Sequence, residues 1–169
     1  ECSEPPDYKG AVGWYTRAFE HGESDAAAYI GEIYMRGNGV ARDEAAAFQW
    51  FKKASDNDSV YGKYLVGKCY FDGTGVPQDK VKAIELYTEA AEYDYDAQFA
   101  LAMCYIDGDG VKKNVKKGVK LLEQSAEDND NAQSKLAEIY YAGDIVKQDK
   151  QRAYELWKKA SEQGNCDAV

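Results

Sequence analysis

The stretch Ala26-Ala-Ala-Tyr-Ile-Gly-Glu-Ile-Tyr-Met-Arg-Gly-Asn-Gly-Val40 decides the fold, because its pattern returns three more times along the chain. A tyrosine, followed three positions later by a glycine, marks each copy. The tyrosines are Tyr34, Tyr70, Tyr105 and Tyr140, and the glycines are Gly37, Gly73, Gly108 and Gly143. The copies are therefore spaced by 36, 35 and 35 residues. Periods in this range predict a solenoid, in which each repeat buries its apolar face only against its neighbours.

Each repeat is predicted to contain two helices, which we call A and B. In helix A of the first full repeat, Ala26, Ile30, Ile33 and Tyr34 have the spacing of one apolar helix face. Gly37 should end this helix, because glycine reaches a left-handed φ without steric cost. Helix B should then begin at a capping Asp or Asn. The predicted caps are Asp43, Asp79, Asn114 and Asp149.

Small residues recur where helices A and B of a repeat should pack closely. They occupy the same place in every helix A, at Gly31, Gly67, Ala102 and Ala137. Helix B alternates small and large residues, which in the first full repeat are Ala47, Trp50, Phe51 and Ala54. The small residues of helix A predict a close backbone approach to the next helix.

The turns between repeats share one position that carries only Gly, Asp or Asn. Its members are Gly22, Asp58, Asp94, Asn129 and Gly164. All three residue types tolerate a left-handed φ, so the sequence predicts that conformation at each of these positions. The turns before Ala97 and Ala132 are one residue shorter than the two earlier turns. We expect this loss to alter the local packing angle.

The register predicts one repeat solenoid over residues 1–169, with a leading half-repeat and four full repeats. The half-repeat is 7–25, with Asp7 as its helix cap, and the repeats are 26–61, 62–96, 97–131 and 132–167. Both ends stop within a repeat, so we expect a piece of a longer repeat protein. Trp14 and Tyr15 should be less covered than their later equivalents, because no helix A precedes them.

Charge and cysteine content narrow the possible partners. The chain has 21 basic and 30 acidic residues, a formal net charge of −9, which opposes binding to nucleic acid and to anionic membranes. No apolar run is long enough to span a bilayer. Cys69 and Cys104 replace isoleucine in the helix A pattern and should be core residues. Cys2 and Cys166 lie at opposite ends of the stack, too far apart for a disulfide.

Catalysis is the weaker hypothesis for this chain. Its single histidine, His21, has no nucleophile in register, and the Gly-x-Gly turns follow helices instead of joining a strand to a helix. No spacing typical of a metal site occurs, and ordinary turn chemistry accounts for the acidic turns. We therefore expect no cofactor and no bound metal, although chance pairs of carboxylates leave glycoside chemistry open.

With these positions placed, the pattern resembles the Sel-one-like repeat family, a branch of the tetratricopeptide-type helical repeats. The resemblance rests on Ile30-Gly31-x-x-Tyr34, Gly37-x-Gly-Val40, Asp43 and the aromatic pair Trp50-Phe51. It covers about residues 7–168 and departs at Ile145, where a second glycine belongs. It implies an all-α, right-handed solenoid of antiparallel helix pairs that acts as an adaptor or scaffold, frequently in bacteria. A cysteine-rich subgroup has disulfides within each repeat, but this chain lacks the two-cysteine spacing.

The resemblance also implies that helix A lines a concave face, and this face is the candidate binding surface. In the first repeat its outward positions are Ala28, Glu32 and Met35. The candidate binding residues along the face are Tyr64, Lys68, Phe71, Phe99, Met103, Ile106 and Tyr141. An apolar strip with charged edges is typical of a groove for a peptide or a partner helix. The alternative is that these side chains only pack between repeats.

One basic cluster stands out in the acidic chain. Its members are Lys112, Lys113, Lys116, Lys117 and Lys120. They could dock an acidic segment of a partner, or they could form a solvated helix face. The sequence thus favours a non-catalytic scaffold for a protein or peptide partner. The main alternative is a structural spacer within a longer repeat array.

Overall fold

The computed structural model describes residues 8–163, and within them the chain forms helices without any strand. The helices are α1 (Tyr8–Glu20), α2 (Ser24–Arg36), α3 (Glu44–Asp56), α4 (Val60–Asp72), α5 (Lys80–Ala90), α6 (Tyr95–Asp107), α7 (Val115–Ser125), α8 (Asp130–Ala142) and α9 (Lys150–Gln163). The A helices are α2, α4, α6 and α8, and each is followed by its B helix. The architecture is an all-α solenoid. Four predictions, at Cys2, Asp7, Gly164 and Cys166, lie outside the described residues.

The chain divides into two compact units, Glu1–Leu86 and Tyr87–Val169, with the boundary inside α5. Each unit has its own apolar core. In the first unit the core consists of Ala27, Ala28, Ala47, Phe48, Phe51, Ala54, Leu65, Val66 and Cys69. In the second it consists of Ala102, Ile106, Val119, Leu122, Ala126, Ala132, Leu136, Ala137, Ile139, Tyr140 and Ala153. The predicted small and large positions of the B helices supply Ala47, Phe51 and Ala54 to the first core and Leu122 and Ala153 to the second, and most of the other core residues lie on the A helices.

The helix ends confirm the predicted helix-terminating glycines and the predicted N-cap residues. Gly37 ends α2 with a φ of 71°, and its amide donates to the carbonyl of Ile33. The three equivalent glycines have φ values between 75° and 79°. At the start of helix B, the carboxylate of Asp43 accepts from the amide of Ala46 at 2.9 Å. Asn114 caps α7 in the same way, accepting from the amide of Lys117 at 3.1 Å, so the amide serves as well as the carboxylate there.

The close approach predicted at Gly31 is present between α2 and α3. A Cβ atom added to Gly31 would lie 2.5 Å from two ring carbons of Phe51 and 3.0 Å from the carbonyl oxygen of Ala47. Such distances are shorter than van der Waals contact, so only glycine fits against this ring.

The first helix is less covered than its later equivalents, as predicted. Trp14 is 69% exposed, whereas its equivalent Trp50 packs against the first core.

The turns between repeats correct one prediction. Gly22 and Asp58 adopt the expected left-handed φ, at 98° and 65°. Asp94 and Asn129 do not, because their φ values are −130° and −118° and their side chains cap α6 and α8. The missing residue explains the difference. In the longer turn, left-handed Asp58 precedes the cap Ser59, and in the shorter turns that left-handed step is absent, so the Asp or Asn becomes the cap.

Asp58 and Asp94 should therefore respond in opposite directions to substitution. Asp58→Gly is expected to raise the free energy of unfolding by about 0.5 kcal/mol, because glycine relieves the left-handed φ. Asp94→Ala is expected to lower it by about 1 kcal/mol, because the cap of α6 is lost. Urea denaturation followed by circular dichroism measures both changes. A loss of stability in both variants would contradict the assignment of Asp58.

Candidate functional site

A groove lies between the A helices α2 and α4 of the first unit, and we call it the first groove. Its cavity volume is about 170 Å³. It is lined by Glu32, Met35, Arg36, Phe51, Leu65, Lys68, Cys69, Asp72 and Thr74. The floor is apolar and comes from both A helices and from the ring of Phe51 on α3. Charged side chains form the rim, so the groove offers an apolar contact bordered by ionic groups.

The charges on the first groove are only partly satisfied within the protein. Glu32 accepts from the Arg36 guanidinium at 3.2 Å and from the Tyr61 hydroxyl at 2.9 Å. Lys68 is exposed, and its ammonium makes no ion pair within residues 8–163. Lys68 is thus a cation on the rim that remains available to a partner.

Cys69 contributes to the floor of the first groove as an apolar group. Burial of the thiol, with a smaller contribution from the nearby Asp72 carboxylate, raises the pKa of Cys69 to about 11. The thiol is therefore protonated at neutral pH, and the thiolate needed for nucleophilic chemistry is scarce. This environment supports the prediction that Cys69 is a core residue.

A second groove lies between α6 and α8 of the second unit, in the same register as the first. Its cavity volume is about 440 Å³. It is lined by Met103, Ile106, Asp107, Lys135, Glu138, Ile139, Ala142, Asp144 and Ile145. Lys135 pairs with Glu138 at 2.8 Å, three residues later on the same helix. Each unit therefore has an apolar groove with a charged rim between consecutive A helices.

The structure separates the predicted binding residues into groove, core and surface positions. Lys68 lines the first groove, and Met103 and Ile106 line the second. Tyr64 packs against the first core, and Phe99 and Met103 pack against the second. The Phe71 ring is half-buried, and the Lys80 ammonium lies 5.1 Å from the centre of that ring.

One outward position of the predicted face, Ala28, is wrong, and the equivalent positions Ile106 and Tyr141 differ widely in exposure. Ala28 is fully buried in the first core, and Ile106 is only 7% exposed because it packs against α7 in the second core. A neighbouring helix comes closer to these positions than the helical register alone indicates. Tyr141 is 51% exposed, and its ring centre lies 5.5 Å from that of Trp157. Packing between helices A and B of the same repeat therefore accounts for Ile106 and for the contact of Tyr141, and the grooves lie along other parts of the predicted strip.

Several groove residues were absent from the sequence-based prediction. Asp72 and Asp107 occupy one register on the rims of the two grooves. They follow Lys68 and Met103 by one helical turn, so extending the predicted face by four positions would have found them. Ile145 departs from the repeat pattern, which by itself predicts no binding role, yet it lines the second groove.

The predicted lysine cluster is exposed throughout, but one of its members has a structural partner. The Lys117 ammonium lies 4.1 Å from the centre of the Tyr105 ring and donates to its hydroxyl oxygen at 2.6 Å. Lys82 makes the same contacts with Tyr70, at 4.3 Å and 2.9 Å. This repeated pair belongs to the fold, which leaves the other four lysines as candidates for docking.

The described part of the chain contains no arrangement typical of a metal site or a membrane span. Among residues 8–163, no three side chains of His, Cys, Asp or Glu come together as a possible metal site. No helix between Tyr8 and Gln163 combines the length and the apolar character needed to cross a bilayer. His21 lies exposed in the turn after α1.

A family model described as the Sel1 repeat matches five consecutive segments of the chain. They are residues 3–23, 24–59, 60–92, 96–130 and 131–165, which together span most of the sequence. No curated protein matches the chain.

Several solved bacterial structures are similar to this chain. The protective antigen c5321, present in uropathogenic Escherichia coli strains and displaying an SLR fold, is 33% identical with a TM-score of 0.78. The match covers 93% of this chain and 34% of c5321, so the chain spans about a third of that protein. A Sel1 repeat protein from Oxalobacter formigenes is 27% identical with a TM-score of 0.77, and the match covers 93% of this chain and 71% of that one. Cysteine rich protein B of Helicobacter pylori is 27% identical with a TM-score of 0.59, over 78% of this chain and 96% of that one.

Proposed function

Because the chain belongs to the Sel1 repeat family, we propose that it is a non-catalytic scaffold that binds a peptide or a partner protein on the face of its A helices. Members of this family are generally scaffolds for protein–protein interactions and are typically not enzymes. Helical repeat proteins bind partners through the extended surface that stacked helices create. The proposal applies this general role to two particular grooves.

The observation that carries the proposal is the recurrence of one groove in the same register of both units. In each unit two A helices border an apolar floor, and ionic side chains stand on the rim. An apolar floor allows a partner side chain to leave water, and a charged rim sets its orientation and register. A surface that served only as a spacer would have no need to repeat this combination.

The candidate residues have different roles in this proposal. Lys68 and Tyr141 are exposed and would contact the partner directly. Met103 lines the second groove and would contact an apolar side chain. Tyr64, Phe71 and Phe99 are half-buried, so they would mainly hold the A helices in position.

A peptide-display selection tests the proposal, because it does not require the natural partner to be identified first. Random peptides are selected on the wild-type chain, and the affinity of each selected peptide is then measured by titration calorimetry. Peptides bound in the first groove are expected to lose roughly tenfold in affinity when Lys68→Glu reverses the rim charge. The matched control is Lys52→Glu on α3, because Lys52 is exposed and outside both grooves.

The pattern of losses decides between a binding scaffold and a spacer. Equal affinity for wild type, Lys68→Glu and Met103→Ser would place the selected peptides elsewhere and overturn the proposed face. A chain that selects no peptide and keeps its stability in both variants would favour the spacer.

A further inference from the structure

A further apolar cavity of the second unit lies between α7 and the turn that follows α8, beside the second groove, with which it shares Ile145. Its volume is about 700 Å³. We call it the Ile145 pocket, and it is lined by Val115, Lys116, Val119, Lys120, Glu123, Ile145 and Val146. Three valines and an isoleucine supply the apolar surface. Two lysines that the sequence placed in the basic cluster stand beside it.

The pocket originates in the one turn that departs from the repeat pattern. In the first unit the equivalent turn residue is Gly75, with a φ of 70°, and an added Cβ atom would lie 2.1 Å from the carbonyl oxygen of Glu44. Glycine thus lets this turn sit directly on the start of the preceding B helix. Ile145 does not adopt this left-handed φ, since Asp58 is the one described non-glycine residue with a positive φ. The isoleucine side chain is instead 42% exposed and lines the opening beside α7.

The charge around the pocket is positive and unsatisfied. Lys116 and Lys120 are exposed, and neither forms an ion pair within the described range. The only carboxylate in the lining, Glu123, already accepts from the Tyr140 hydroxyl at 2.8 Å and from Arg152 at 3.4 Å. The amino end of α7, at Val115, adds the positive end of its helix dipole.

We propose that the Ile145 pocket binds an acidic, apolar peptide segment of a partner protein. This inference rests on the proposed scaffold function and adds the chemistry of one partner. An aliphatic side chain of the segment would lie among Val115, Val119 and Ile145, and its carboxylates would pair with Lys116 and Lys120. The formal charge of the chain is −9, so this positive site also orients an acidic segment against an otherwise repulsive surface. The apolar lining favours a peptide over a nucleic acid, which has no aliphatic side chain to bury.

Fluorescence anisotropy with a labelled peptide of alternating glutamate and leucine pairs tests the inference. The peptide is expected to bind wild type, with an affinity that falls several-fold from low to physiological salt. The double variant Lys116→Glu/Lys120→Glu should weaken binding about tenfold or more. Ile145→Gly should weaken it as well, because it removes an apolar wall and restores the glycine of the other turns. Circular dichroism checks that both variants remain folded.

The control variant Lys52→Glu/Lys158→Glu makes the same change in net charge on exposed lysines that do not line the pocket. Its affinity for the peptide should match that of wild type. If both double variants weakened peptide binding equally, the loss would come from the change in net charge alone, and the inference would be overturned. A single-stranded oligonucleotide that binds as tightly as the peptide would also overturn it, in favour of a general polyanion site.

Peptides selected on the wild-type chain separate this inference from the function on which it rests. If they depend on Lys68 or Met103 and none depends on Lys116 or Lys120, which line the pocket and neither groove, the scaffold function stands and the acidic partner is excluded. If a selected peptide loses affinity in Lys116→Glu/Lys120→Glu and keeps it in Lys68→Glu and Met103→Ser, the pocket is a second binding site.

Discussion

Gly31→Ala is expected to lower the free energy of unfolding by about 1–3 kcal/mol, the usual cost of overpacking a core. The added methyl group would meet the Phe51 ring at 2.5 Å and the carbonyl oxygen of Ala47 at 3.0 Å. The Phe51 side chain is buried and cannot move aside without displacing its neighbours. This loss exceeds the gain in helix propensity that alanine brings, so the net effect is destabilising. Urea denaturation monitored by far-ultraviolet circular dichroism measures it.

Gly13 provides a matched control, because it is also a helical glycine in the first unit. An added Cβ atom at Gly13 would meet no atom within 4 Å. Gly13→Ala is therefore expected to raise the free energy of unfolding by up to about 1 kcal/mol. The same glycine-to-alanine change is thus expected to lower the free energy of unfolding at Gly31 and to raise it at Gly13. Stabilisation by both substitutions would show that α2 and α3 do not pack as closely as described.

A double-mutant cycle identifies the ring as the cause of the loss at Gly31. In the third full repeat, Ala102 and Leu122 replace the glycine and the aromatic ring at the equivalent positions. Phe51→Leu should therefore reduce the cost of Gly31→Ala, with a favourable coupling of about 0.5–3 kcal/mol, the range for residues in contact. Strict additivity of the two substitutions would contradict direct contact between them.

The features that could be predicted from the sequence are those in which one residue type meets one local requirement. The left-handed ends of the A helices call for glycine, and Gly37 has that conformation. The start of a B helix needs a side-chain acceptor, and Asp43 and Asn114 both supply it. The gap beside Phe51 admits only a residue without a side chain, and Gly31 fills it. Repetition at a constant spacing made each of these requirements visible.

Burial of side chains along the A helices was harder to predict, because it depends on the distance to the neighbouring helix. The helical register placed Ile106 and Tyr141 at equivalent outward positions, yet one is 7% and the other 51% exposed. Ile106 has Gly118 of α7 against it, and a Cβ atom added there would lie 2.6 Å from Cγ1 of Ile106. The contact that buries Ile106 thus depends on a residue in the next helix, which the register of helix A does not include.

Turn conformation and the Ile145 pocket depend on the length and the contacts of each turn. Asp58 and Asp94 are the same residue type at one repeat position, but one missing residue changes a left-handed turn into a helix cap. At Ile145 the sequence showed only that a glycine was missing. The resulting cavity follows from the distance between this turn and α7, which no local pattern specifies.

Leu122→Ala is expected to have the largest effect of any single substitution considered for this protein, a loss of about 2–5 kcal/mol in the free energy of unfolding. Leu122 is completely buried in the second core, where it occupies the large position of helix B. Truncation removes its apolar contacts and leaves a cavity that the rigid helix backbones cannot close. For a chain of this length, the melting temperature should fall by about 2–4 °C for each kcal/mol lost.

Leu121 is the matched control, because the same substitution at the adjacent position of α7 removes the same atoms from a half-buried site. Leu121→Ala should cost about half as much as Leu122→Ala, since part of that side chain is already in contact with water. Leu122→Met should cost less than about 1.5 kcal/mol, because it nearly conserves volume and leaves no large cavity. Equal losses for both alanine variants would mean that α7 is rotated about its axis relative to the described packing. The order Leu122→Ala, Leu121→Ala, Leu122→Met therefore tests the orientation of the helix that presents Lys116 and Lys120 to the Ile145 pocket.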